Sequence, residues 1–172
     1  MNKILNIEFE KAIRLLAQVM PVANEGTRKP VIFHGLRVGA YLYENNYSRD
    51  IVLAGVLHDV LEDTEVTLKE LTDEFGENVA RIVNASTKDD SITDSLMKTE
   101  ELIKRCVENG EEALIVKTAD IIDSFKYYTE EKNMAEIQYC MRNADAILKY
   151  KPKNFGDKIF TELESWQVRY KT

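Results

Sequence analysis

The chain is short of residues that interrupt helices. Its 172 residues include three prolines and seven glycines, so few points force the backbone out of a helix. Cysteine is nearly absent. Cys106 and Cys140 stand far apart, and they read as reduced, semi-buried thiols of a cytoplasmic protein, without a disulfide. Basic charge is in deficit: 23 Lys and Arg face 30 Asp and Glu, for a formal net charge of −7. That balance excludes non-specific nucleic-acid binding, which needs a basic face against phosphate. No apolar run approaches the roughly 18–20 residues of a membrane span, so no membrane partner is expected. Glu8, Glu10 and Lys11 break the N-terminal stretch, which argues against a signal peptide.

What is present points to one helical domain. Hydrophobic residues make up 44% and charged residues 31%, a globular balance able to bury a core without staples. A single domain over 1–172 is expected. Apolar positions recur at helical spacing, and period-2 alternation is scarce. The pattern predicts an all-α bundle of about eight or nine helices, at about 4–20, 31–44, 49–61, 67–75, 78–85, 92–108, 111–128, 134–149 and 157–170. Ser48 is a candidate N-cap. Thr67-Leu68-Lys69-Glu70 is a capping-box pattern, and Asn109-Gly110 is a helix stop. The helix at 49–61 is apolar nearly all round, which places it at the middle of the domain.

Only two histidines occur, His34 and His58, both in apolar segments. A buried imidazole needs partners for its nitrogens. Taken singly, each reads first as a satisfied core histidine. His58, however, is followed by Asp59 inside the greasiest helix, and an acid there calls for a counter-charge or a cation. Glu62 and Asp63 come one turn later, each four residues after its counterpart; alternatively they open a solvated loop. Asp120 interrupts another apolar helix, where a salt bridge to Lys117 is the plain alternative. Asp123 projects to nearly the opposite side and is expected to be exposed. Together His34, His58, Asp59 and Asp120 offer two nitrogen and two oxygen donors from three segments. That set suits a divalent ion with open positions, such as Mn²⁺, better than a closed structural zinc site. No cysteine joins the set, which excludes a zinc finger.

The order His34, His58-Asp59, Asp120 resembles the H…HD…D signature of the HD-domain metal-dependent phosphohydrolases. The surrounding text is more specific. Leu57-His58-Asp59-Val60-Leu61-Glu62-Asp63-Thr64 is similar to the LHDxxEDT stretch of the RelA/SpoT-type (p)ppGpp hydrolases. So are Phe75 to Val83, Ser86-Thr87-Lys88, Val116 to Asp120 against KLAD, and Arg28-Lys29 against a basic RK pair. The likeness covers residues 5–150 or so and leaves no room for a synthetase domain, as in the single-domain small alarmone hydrolases. Three places depart from it. The Arg28–His34 loop is short, Gly35 stands where proline is common, and Ile121-Ile122-Asp123-Ser124 replaces RLHN.

The resemblance implies hydrolysis of a phosphorylated nucleotide, with ppGpp giving GDP and pyrophosphate. The four ligands would hold one Mn²⁺ or another first-row metal, which lowers the pKa of bound water. Glu62 and Asp63 would position that water and carry protons. Arg28 and Lys29 would grip phosphates, with Lys88 a weaker candidate and Ser124 in place of an asparagine of the substrate shell. Arg142 has only positional analogy in its favour. Tyr127, Tyr128, Tyr139 and Phe125 read as helix packing, and Trp166 as an anchor for the last helix. Two other functions stay open: an HD phosphohydrolase for another nucleotide or a nucleoside monophosphate, and a non-catalytic nucleotide or metal sensor. Association into a homo-oligomer is also open.

Overall fold

The computed structural model describes residues 3–171. Among them are ten α-helices and no strand, which bears out the all-α reading and exceeds the expected eight or nine helices by splitting one of them. The chain forms two compact units, one ending at Thr87 and one beginning at Lys88.

The first unit holds α1 (Lys3–Val19), α2 (Val31–Glu44), α3 (Arg49–Leu57), α4 (Val60–Asp63), α5 (Leu68–Phe75) and α6 (Glu77–Ser86). Every residue from Ile51 to Leu57 is buried, because α3 packs against α1, α2 and α6 at once. A helix apolar on all sides can be solvated nowhere, so its neighbours must surround it. The expected helix at 49–61 is broken at His58–Asp59. Asp59 has φ −95° and ψ −5°, and its carbonyl accepts from Glu62 N at 3.1 Å and Asp63 N at 3.0 Å. A new turn therefore starts where the two polar residues stand. Thr64 ends that turn, its Oγ1 donating to Val60 O at 2.7 Å. The Thr67–Glu70 capping box forms on both sides, whereas Ser48 precedes α3 without a side-chain cap bond.

The second unit holds α7 (Ser95–Glu108), α8 (Glu111–Glu130), α9 (Met134–Tyr150) and α10 (Lys158–Val168). Its centre is α8, which packs on α7, α9 and α10 and is buried without interruption from Ala113 to Phe125. That run corrects the expectation for Asp123, which is 8% exposed. The helix start expected near Ile92 lies at Ser95, because the Asp94 side chain caps Met97 N at 2.8 Å. Gly110 begins α8 at φ +105°, a conformation that L side chains rarely adopt. The thiols of Cys106 and Cys140 are fully buried rather than semi-buried. Phe125 stacks on Trp166 at 6.1 Å and on Tyr170 at 6.0 Å, so the last helix is anchored as expected.

Candidate metal centre

In the first unit α2 carries His34, which is fully buried. Gly35 allows its approach to α3. A Cβ at Gly35 would lie 2.7 Å from the Val56 carbonyl oxygen, so any larger residue would push α2 away. Across this close contact His34 Nε2 lies 3.1 Å from His58 Nε2. The rings meet edge to face, with centroids 4.9 Å apart.

The tautomer of His58 follows from its other nitrogen. Nδ1 is 2.8 Å from Gly55 O, and a carbonyl can only accept, so Nδ1 carries the hydrogen. In the neutral ring Nε2 then presents a lone pair toward His34. Asp59 Oδ2 lies 3.3 Å from that same Nε2 and 3.9 Å from His34 Nε2. Three donors, one from α2 and two from the break after α3, thus converge. Two ligand atoms about 2.1 Å from an ion and a right angle apart lie about 3 Å from each other, so this spacing fits a shared divalent cation. Gly55 O fixes the ring in the way that outer partners of metal-binding histidines do.

Glu62 is half-buried and Asp63 exposed on α4, tied by their amides to the Asp59 carbonyl. Arg28 is exposed and Lys29 half-buried, in the loop just before Pro30 and α2. Among the first-unit residues, the structure therefore brings together His34, His58 and Asp59, and sets the two acids on the next turn.

In the second unit Asp120 is 6% and Lys117 4% exposed. Lys117 Nζ donates to Asp120 Oδ2 at 2.7 Å, so the salt bridge foreseen as the plain alternative forms. Ser124, also buried, lies with Oγ 3.4 Å from Asp120 Oδ1. Lys88 is half-buried and lines a cavity of about 80 Å³ together with Lys98, Tyr139, Arg142 and Asn143. Two residues weighed separately from sequence, Lys88 and Arg142, thus share one cavity wall. Two contributors escaped the sequence reading: Gly55 O, whose only trace is its place three residues before His58, and Lys98, which no motif marks.

A family model described as the HD domain matches residues 12–143, a span that includes His34, His58-Asp59 and Asp120. The chain belongs to the HD-domain family. It is similar to a guanosine-3′,5′-bis(diphosphate) 3′-pyrophosphohydrolase of Aquifex aeolicus, 29% identical over 95% of this chain and 24% of that protein. It is also similar to a GTP pyrophosphokinase of Myxococcus xanthus, 33% identical over 83% of this chain and 20% of that protein. The chain thus spans a quarter or less of the curated relatives it matches. Among solved structures, that of a metazoan ortholog of SpoT described as hydrolysing ppGpp matches at TM-score 0.75 and 18% identity, over 94% of both chains. The lmo0812 structure from Listeria monocytogenes matches at TM-score 0.67 and 19% identity, over 86% of this chain and 98% of that one. These likenesses confirm the all-helical HD fold.

Proposed function

We propose that this chain is a metal-dependent phosphohydrolase that removes pyrophosphate from the ribose 3′ position of ppGpp, leaving GDP. The observation that carries the reading is the convergence of His34 Nε2, His58 Nε2 and Asp59 Oδ2. The hydrolase names of similar proteins add the substrate class. Asp120 is the proposed fourth ligand. The family match spans all four of these residues and supports this.

Mn²⁺ is the proposed ion, because two imidazole and two carboxylate donors suit a borderline-hard cation. When bound, such an ion supplies Lewis acidity and a water that ionises near neutral pH. The chain's own groups do the remaining work. Glu62 and Asp63 stand on the turn after Asp59, where one accepts the proton of the attacking water. The bond that forms joins the water oxygen to the 3′ phosphorus. The bond that breaks joins that phosphorus to the ribose 3′ oxygen, which takes up a proton as it leaves. Arg28 and Lys29 hold phosphate oxygens at the start of α2, and a guanidinium does so through two parallel hydrogen bonds. Lys88 and Arg142, with their shared cavity, are proposed to take the remaining negative charge of the substrate. The buried thiols of Cys106 and Cys140 support a reducing, cytoplasmic setting.

Ser124 favours keeping a second reading, an HD phosphohydrolase for another nucleotide. A serine offers a hydroxyl where the resembled family has an amide, and here that hydroxyl lies near Asp120. One experiment decides between them: metal-free protein is given Mn²⁺ and a panel of nucleotides, and the products are identified. Pyrophosphate and GDP from ppGpp support the first reading. Orthophosphate from nucleoside monophosphates supports the second. Nucleotide binding without turnover points to a sensor and removes both.

A further inference from the structure

Glu62 and Asp63 stand on α4, a single turn of four residues. So short a helix does not hold itself, because a first turn fixes several backbone dihedrals for one hydrogen bond. It is tied at both ends instead. At its start the Asp59 carbonyl accepts the bonds from Glu62 N and Asp63 N. At its end the chain becomes extended at Thr64, with φ −140° and ψ 175°, and the side chain takes over. Thr64 Oγ1 donates to Val60 O at 2.7 Å and accepts from Val66 N at 3.1 Å, so one hydroxyl uses its donor and an acceptor together. It joins the turn to the segment that enters the Thr67 capping box. Val60 is fully buried, which anchors the near end of this bridge in the core. The two acids lie inside the bridged stretch, between Val60 and Val66. Thr64 is half-buried and both bonds go to backbone atoms, so it orders the chain and not a reacting group.

We infer that Thr64 is a positioning residue: its hydroxyl fixes the turn that carries Glu62 and Asp63, and so sets where these acids meet the attacking water. The inference deepens the proposed reaction and rests on the reading of Glu62 and Asp63 as its proton carriers. Its physical basis is that proton transfer needs donor and acceptor within hydrogen-bond reach. A displacement of about 1 Å at a reacting group can cost about a hundredfold in rate, and a turn untied at one end is able to make such a displacement.

The test uses the full chain and two kinds of readout. Thr64→Val keeps the shape of the side chain and removes the hydroxyl; Thr64→Ala serves in its place if that variant does not fold. In metal-free protein, exchange of the Val66 amide hydrogen followed by NMR is expected to be about 3–10-fold faster without the hydroxyl that accepts it. With Mn²⁺ and ppGpp, kcat is expected to fall about 10–100-fold. KM, and the Mn²⁺ dissociation constant from calorimetry, should stay within about twofold of the natural values, because His34, His58 and Asp59 all precede the turn and the loss is confined to the transition state. Thr64→Ser restores the hydroxyl and is expected to rescue both the slow exchange and the turnover. A purely structural role would lower stability without separating kcat from KM. Natural kcat in a folded variant without the hydroxyl overturns the inference. So does unchanged Val66 exchange, a loss of Mn²⁺ affinity as large as the loss of kcat, or a Thr64→Ser protein as slow as Thr64→Val. Full turnover in both Glu62→Gln and Asp63→Asn would instead remove the proton-carrying reading beneath it, which keeps the two failures distinct.

Discussion

His58 divides its two nitrogens between two tasks. Nδ1 donates to Gly55 O and Nε2 faces His34 and Asp59. If a cation bound there supplies several kcal/mol of transition-state stabilisation, loss of one ligand should be severe. Asp59→Ala is expected to lower turnover by at least about a hundredfold, measured as pyrophosphate release from ppGpp at saturating Mn²⁺. Retained turnover would remove the metal mechanism. Gly35→Ala tests the packing that sets this geometry. The added Cβ meets the Val56 carbonyl oxygen, and an overfilled core contact costs about 1–3 kcal/mol. The variant should melt at lower temperature and bind Mn²⁺ more weakly, since His34 precedes the displaced residue. At this scale the sequence was informative where polarity clashed with context. His34, His58, Asp59 and Asp120 stand out because imidazoles and acids are costly among aliphatic neighbours. Gly35 and Gly55 do not stand out, because a close helix–helix approach leaves no periodic trace in one strand of text. Asp123 was misplaced for a related reason: projection assumes a solvent side, and α8 has none from Ala113 to Phe125.

Helix ends follow the same division between local and long-range causes. The Thr67 box is local chemistry and was readable. Thr67 Oγ1 accepts from Glu70 N at 3.2 Å, and Glu70 Oε2 accepts from Thr67 N at 2.8 Å. The backbone N–H of Thr67 and its hydroxyl, which donates to Glu70 Oε2 at 2.7 Å, hold the Glu70 carboxyl below its ordinary value. Thr67→Ala should destabilise the protein by about 1 kcal/mol, visible as a lower midpoint in urea with an unchanged slope. The break after α3 was not readable, because residues 49–61 carry an unbroken apolar pattern. The break occurs where Gly55 O accepts from the His58 ring and Asp59 O starts the next turn. The side-chain bond of His58 there overrides helical propensity, which is a weak prior of a few tenths of a kcal/mol per residue.

At the scale of the whole molecule, stability should report on both the cation and the acid balance. A ligand that binds only the folded state stabilises it by mass action, about 2.7 kcal/mol at a hundred times its dissociation constant. Mn²⁺ is therefore expected to raise the melting temperature and EDTA to reverse the rise, with Asp59→Ala abolishing both responses. The acid limb has a separate origin. Arg49, at the start of α3, donates Nε to both Glu8 oxygens at 2.9 Å and Nη2 to Oε1 at 2.6 Å. These bonds tie α1 to α3 and hold the Glu8 carboxyl below its ordinary 4.5. In the folded chain Glu8 binds its proton less readily than in the unfolded chain, so the pair favours folding when Glu8 is ionised. Its contribution is fully present above about pH 4.5 and fades as pH falls through the lower, folded value. Both side chains are partly solvated, at 28% and 40% exposure, which limits the pair to about 1 kcal/mol or less. Glu8→Gln should therefore be less stable than the natural chain at pH 7 by that small amount. Denaturant titrations repeated between pH 3 and pH 7 should show the two curves drawing together below about pH 4.5, where the natural chain has lost the same bond by protonation. A gap that stays constant down to pH 3 would place the effect of Glu8 in packing rather than in its charge.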